Sequence, residues 1–131
     1  MVGIVIVSHS YKIAEGLKDL IDQVASGHNG IICAAGLEDK RIGTDSVMIS
    51  EAVRKADDGD GVVILADLGS GIMSSETAIE LLEGENIDVR IADAPLVEGA
   101  ITAAITAVSG GNIDEVIQAA EETRTVEKIN K

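Results

Sequence analysis

The chain has no tryptophan, no phenylalanine and a single tyrosine, Tyr11. Stacked nucleobases or a flavin ring would find no aromatic platform, and the core must be built from aliphatic side chains. Basic residues are also scarce: ten Lys and Arg stand against 23 Asp and Glu, a net charge of -13 that repels phosphate backbones and anionic lipid. Neither nucleic acid nor a membrane is an expected partner, whereas a protein with a basic face is. One cysteine, Cys33, cannot form an internal disulfide, and its place in the apolar run Gly30 to Ala35 predicts a core thiol without reactivity. No apolar stretch reaches the ~20 residues of a membrane span, and Met1 leads into the first apolar run without a basic leader, so a cytoplasmic protein is expected.

What is present is aliphatic and periodic. With 131 residues and 46% hydrophobic content, one domain with a proper core is expected. Four short apolar runs, rich in β-branched residues, read as strands: Val2 to Val7, Gly30 to Ala35, Gly61 to Ala66 and Ile87 to Ala92. Between them the spacing predicts helices over about Ser10 to Ser26, Asp45 to Asp57 with Asp45 as N-cap, and Ile72 to Glu83. Pro95 stands at a plausible first helical position of a fourth helix ended by Gly110-Gly111, and Asn112 with Glu115 resembles a capping box for a last helix through Glu122. The tail Thr123 to Lys131 reads as an edge strand, a subunit-exchanging arm or a frayed end. Alternation of this kind implies an α/β fold: a mostly parallel, doubly wound sheet of order 2-1-3-4 with helices on both faces.

In such a sheet ligands collect at the carboxyl ends of the strands, and two chemically equipped loops fall there. His9 follows the first strand. Asp67 follows the third and precedes the turn Gly69-Ser70-Gly71. If strands one and three are neighbours, His9 and Asp67 share one crevice, and a carboxylate on one ring nitrogen would orient the other as a nucleophile. The helix starts and the glycine-serine turn suggest that it attacks a phosphoryl group, with Gly69, Ser70 and Gly71 as the phosphate-binding loop. His28 reads as a solvated turn residue at the opposite edge, since the first helix spans ~25 Å. Two histidines that far apart share no metal, and neither a Walker loop nor a dinucleotide fingerprint is present. No metal and no cofactor are called for. Two other classes remain open: a receiver-like signalling domain phosphorylated on Asp67, and a hydrolase using Ser70 with His9, which lacks the usual Gly-x-Ser-x-Gly elbow.

Three segments, Ile4-Val-Ile-Val-Ser-His-Ser10 with Ala14-Glu-Gly-Leu17, Ala66-Asp-Leu-Gly-Ser70, and Ala94-Pro-Leu-Val-Glu-Gly-Ala100, together resemble the mannose-family enzyme IIA domains of the bacterial phosphotransferase system. Within that family the resemblance is to the branch that serves phosphoenolpyruvate-dependent dihydroxyacetone kinases, the alternative being a mannose-type sugar transporter. Gly69-Ser-Gly-Ile72 stands where the transport branch has a Phe-Gly-Gly-Ser-Pro-like turn. The resemblance implies that His9 accepts phosphate from the carrier protein HPr with support from Asp67. The phosphate would pass to ADP on the nucleotide-binding kinase subunit and then to dihydroxyacetone bound on another subunit. It also implies a homodimer with an antiparallel edge strand. With no fused HPr-like or enzyme I-like segment in the sequence, phosphate is expected to arrive from a separate protein.

Overall fold

Strand β1 (Gly3–Ser8) is buried at every position and pairs in parallel on both sides, with β2 (Ile31–Ala35) and with β3 (Val62–Ala66). A strand covered on both faces has to be apolar throughout, which is why this run does not alternate. The computed structural model describes residues 1–130. The short β4 (Val89–Ile91) completes an all-parallel sheet of order β2-β1-β3-β4. Alternate residues of β1 feed two cores. Ile4 and Ile6 pack with α1 (Tyr11–Val24), α4 (Leu96–Val108) and α5 (Ile113–Glu122). Val5 and Val7 pack on the other face with α2 (Ser46–Ala56) and α3 (Gly69–Leu81). Each fully buried aliphatic side chain of this kind contributes ~1.5–3 kcal/mol relative to an exposed one.

Local signals in the sequence set most boundaries. Ser10 caps α1 by accepting the Ile13 N–H, Asp45 caps α2 by accepting those of Val47 and Met48, and Asn112 with Glu115 forms a capping box on α5. The buried face of α4 is Ala100, Ala103, Ala104 and Ala107, whose short side chains let it lie close over the sheet. Gly3 serves the same purpose on the other face, where a Cβ would collide with the Ala56 carbonyl at the end of α2.

Four expectations are corrected. Helix α3 begins at Gly69, not Ile72: Leu68 is its extended N-cap, and the N–H groups of Gly71 and Ile72 both bond to the Leu68 carbonyl. Two glycines count against a helical turn by propensity, but here tertiary contact overrides it. Strand β4 is three residues instead of six, because it pairs only with Val62–Ile64 of β3. No antiparallel strand occurs among the described residues. After α5 the chain makes a 3-10 turn (Thr123–Thr125), and the Lys128 ammonium lies 2.7 Å from Glu98 at the start of α4. The end of the tail, Lys131, is outside the described residues.

The fourth correction concerns His28, which is buried and not solvated. Its Nε2–H donates to the Val2 carbonyl at 2.9 Å and its Nδ1 accepts the Gly30 N–H at 3.0 Å, an arrangement only the neutral ring satisfies. Burial lowers its pKa from the ordinary 6.5, against an opposing pull from the Val2 carbonyl. The folded protein therefore resists taking a proton that the unfolded chain accepts, so stability is full above pH 6.5 and falls as the pH drops towards the lowered folded value. Urea midpoints measured from pH 7.5 to 5.5 should fall in the parent chain and fall less steeply in His28→Gln; parallel curves would refute the role.

Candidate functional site

The register of β1 against β3 pairs Val7 with Ala66, so the next residues along, Ser8 and Asp67, come level at the carboxyl edge. Both continue the faces of their strands that carry Ile6 and Leu65, and both therefore turn to the same side of the sheet. The Asp67 carboxylate accepts four hydrogen bonds. Oδ2 takes the His9 backbone N–H and the Ser8 hydroxyl, each at 3.0 Å; Oδ1 takes the His9 ring at 3.0 Å and the Leu68 N–H at 2.8 Å. Burial alone would push its pKa up, but hydrogen bonds from the His9 N–H, the His9 ring, the Ser8 hydroxyl and the Leu68 N–H outweigh this and hold the carboxyl below its usual range. Its stabilising contribution is thus fully present at neutral pH and is lost only as the pH falls through that lowered value.

An ionised carboxylate only accepts, so the ring nitrogen facing it, Nδ1, carries the proton and Nε2 keeps its lone pair. That nitrogen lies 2.6 Å from the Ser70 hydroxyl. The side chains of His9 and Asp67 are 21% and 14% exposed, so the pair sits at the mouth of the crevice within reach of another molecule. The loop after β2 braces the turn, with Gly36 N–H on the Ser8 carbonyl and Gly43 N–H on the His9 carbonyl, each at 3.0 Å. The N-terminal ends of α1 and α3 both open here, and their first-turn N–H groups have no acceptor inside their own helices.

His9, Asp67 and Ser70 therefore converge as a single group. The glycines divide. A Cβ at Gly69 would meet nothing within 4 Å, leaving room for an approaching group, whereas one at Gly71 would lie 3.2 Å from Asp67 Oδ1. Gly71 also has its N–H on the Leu68 carbonyl at 2.9 Å, so its part is to let α3 approach the carboxylate and not to donate to phosphate. Sequence reasoning passed over Ser8, whose hydroxyl is one of the four donors on Asp67, because the register that brings the two level appears only in the folded sheet. Cys33 is no part of the site: burial, then Glu15, pushes its thiol up to about 12, and its Sγ lies 3.5 Å from the Ala14 carbonyl. Among the described residues no group of three or more His, Cys, Asp or Glu is placed to hold a metal ion.

A family model described as PTS system fructose IIA component matches residues 3–120. DhaM of Escherichia coli (strain K12), a phosphoryl donor subunit of PEP-dependent dihydroxyacetone kinase, is 45% identical over 121 residues, 89% of this chain and 26% of that protein. A DhaM of Listeria innocua, assigned to its kinase 2, is 40% identical over 119 residues, 90% of this chain and 95% of that protein. The chain thus spans about a quarter of the E. coli relative and nearly all of the Listeria one. Among solved structures, a protein of unknown function superposes with a TM-score of 0.84 at 31% identity, covering 99% of this chain and 100% of its own. The EIIA component from Streptococcus agalactiae shares the fold, with a TM-score of 0.69 at 16% identity and 97% of each chain covered.

Gly71→Ala tests the close approach of α3. Alanine gains up to ~1 kcal/mol in helix propensity, so the fold should persist, but its methyl presses on Asp67 Oδ1. The imidazole nitrogen resonances of His9 should shift in this variant and stay in place in Gly69→Ala; equal spectra for the two would reject the steric assignment.

Proposed function

Because the chain belongs to the mannose-type enzyme IIA family of the phosphotransferase system, close to the DhaM subunits, we propose that it is a phosphohistidine carrier. On this reading His9 takes a phosphoryl group from HPr and yields it to ADP on the nucleotide-binding subunit of a dihydroxyacetone kinase. The observation that carries the reading is the His9 ring, anchored through Nδ1 to an ionised carboxylate with Nε2 turned to the mouth of the site.

In the transfer, the Nε2 lone pair attacks the phosphorus on the donor's histidine. The new N–P bond forms as the donor's P–N bond breaks, and that electron pair returns to the donor ring. The His9 ring acquires positive charge, which Asp67 stabilises through Nδ1–H without taking the proton. Ser70 leaves Nε2 and donates to a phosphoryl oxygen, joined by the first-turn N–H groups of Gly69 and Ser70. A helix N-terminus favours such an anion by only ~0.3–1 kcal/mol when exposed, so the cradle assists and the oriented ring does the chemistry. Onward transfer to ADP uses the same nitrogen in reverse, with a phosphate oxygen of ADP as the attacking atom.

The names of the relatives favour the kinase branch over the sugar-transport branch. The geometry disfavours phosphorylation of Asp67 itself, because both its oxygens are already engaged and the side chain is 14% exposed. We read the protein as cytoplasmic and homodimeric. No helix of the described residues is long and apolar enough to cross a membrane, and a dimer would cover exposed apolar residues such as Val97 and Ile105 on α4. In equilibrium sedimentation the expected mass is about twice the 13.5 kDa of one chain, and a mass of one chain would reject the dimer.

Incubation with phosphoenolpyruvate, enzyme I and HPr should label the chain with a base-stable, acid-labile phosphate. His9→Ala should take no label, and label persisting there would overturn the assignment. Asp67→Ala should fold but be labelled roughly a hundredfold more slowly in quenched-flow measurements, the lower range for a positioned acid–base group.

A further inference from the structure

Ser8 is wholly buried, at 0% exposure, yet it is polar and stands at the end of a strand whose other residues are aliphatic or glycine. A buried hydroxyl without partners would be costly there; this one has two. The Ser10 backbone N–H donates to its Oγ at 3.0 Å, and the Asp67 Oδ2 lies 3.0 Å away. A hydroxyl has one proton and two lone pairs. With a backbone N–H filling a lone pair and an ionised carboxylate able only to accept, the Ser8 proton has a single direction to go, towards Asp67.

From this arrangement we infer that Ser8 is a positioning residue for His9, acting through Asp67. Its hydroxyl and the His9 N–H together pin Oδ2, and pinning one oxygen of a planar carboxylate fixes where the other points. Oδ1 is thereby held on the imidazole Nδ1–H, which keeps the proton off Nε2. The donor is itself fixed, because Ser10 is the N-cap of α1 and its N–H cannot turn away while the helix start is intact. Ser8 therefore ties the start of α1, the carboxylate and the ring into one rigid unit. Its effect on phosphoryl transfer rests on the carrier function proposed above; its effect on the ring does not.

The isosteric pair Ser8→Thr and Ser8→Val separates the hydroxyl from packing, since the two differ only in that group at the same volume, and Ser8→Ala serves as the smaller companion. Two readouts apply to each. The first is the nitrogen NMR spectrum of the His9 ring in the unphosphorylated protein, which reports the tautomer. The second is the rate of label transfer from phosphorylated HPr. The Nδ1–H tautomer should dominate in the parent chain and in Ser8→Thr, and become mixed in Ser8→Val and Ser8→Ala. Transfer should slow about tenfold or more in the two variants without a hydroxyl, the equivalent of one hydrogen bond to a charged group, and recover in Ser8→Thr. An unchanged tautomer in folded Ser8→Val or Ser8→Ala would overturn the inference. No label in any form, the parent chain included, would instead defeat the carrier function while the ring spectra still decide the part played by Ser8.

Discussion

A single carboxylate organises the functional end of this molecule. Asp67 accepts hydrogen bonds from two residues of the first βα turn and from the residue that follows it, so the end of β1, the end of β3 and the start of α3 are joined at one point. Charge is what makes the junction directional. Because the carboxylate can only accept, every group facing it must donate, and the imidazole is left with one protonated nitrogen inside and one lone pair outside. The four donors that keep Asp67 ionised are thus the same contacts that prepare His9. On the proposed function, folding energy and reactivity draw on one set of bonds.

The two histidines illustrate how environment divides one side-chain chemistry into two roles. His28 bridges a carbonyl and a backbone N–H at the amino end of the sheet, in a niche that favours the neutral ring and serves packing. His9 meets a carboxylate at the carboxyl end, where positive charge on the ring would be matched by a fixed negative one. Nothing in the residue type distinguishes them; position on the parallel sheet does. Helix starts gather at one edge and helix ends at the other, so an imidazole that would hold an anion, as proposed for His9, belongs at the first.

The small residues serve the same end by controlling distance. The alanine face of α4 and the bare Gly3 bring helices close to the sheet, and Gly71 lets α3 begin directly against Asp67. Had α3 started at Ile72, as propensity suggests, Ser70 would lie on a loop. In the folded chain it sits in the first helical turn, which sets its hydroxyl on Nε2.

The amino-acid sequence by itself determined the strand order, the caps at Asp45 and Asn112, and the meeting of His9 with Asp67. These follow from hydrophobic period, from short side chains that bond to neighbouring backbone, and from the rule that loops after parallel strands share an edge. Which nitrogen stays free, where α3 begins, the burial of His28 and the part of Ser8 were decided only by tertiary structure. Each depends on groups brought together across strands, 59 positions apart in the case of Ser8 and Asp67, and the value of such a contact is set by the solvent it excludes and the partner it finds.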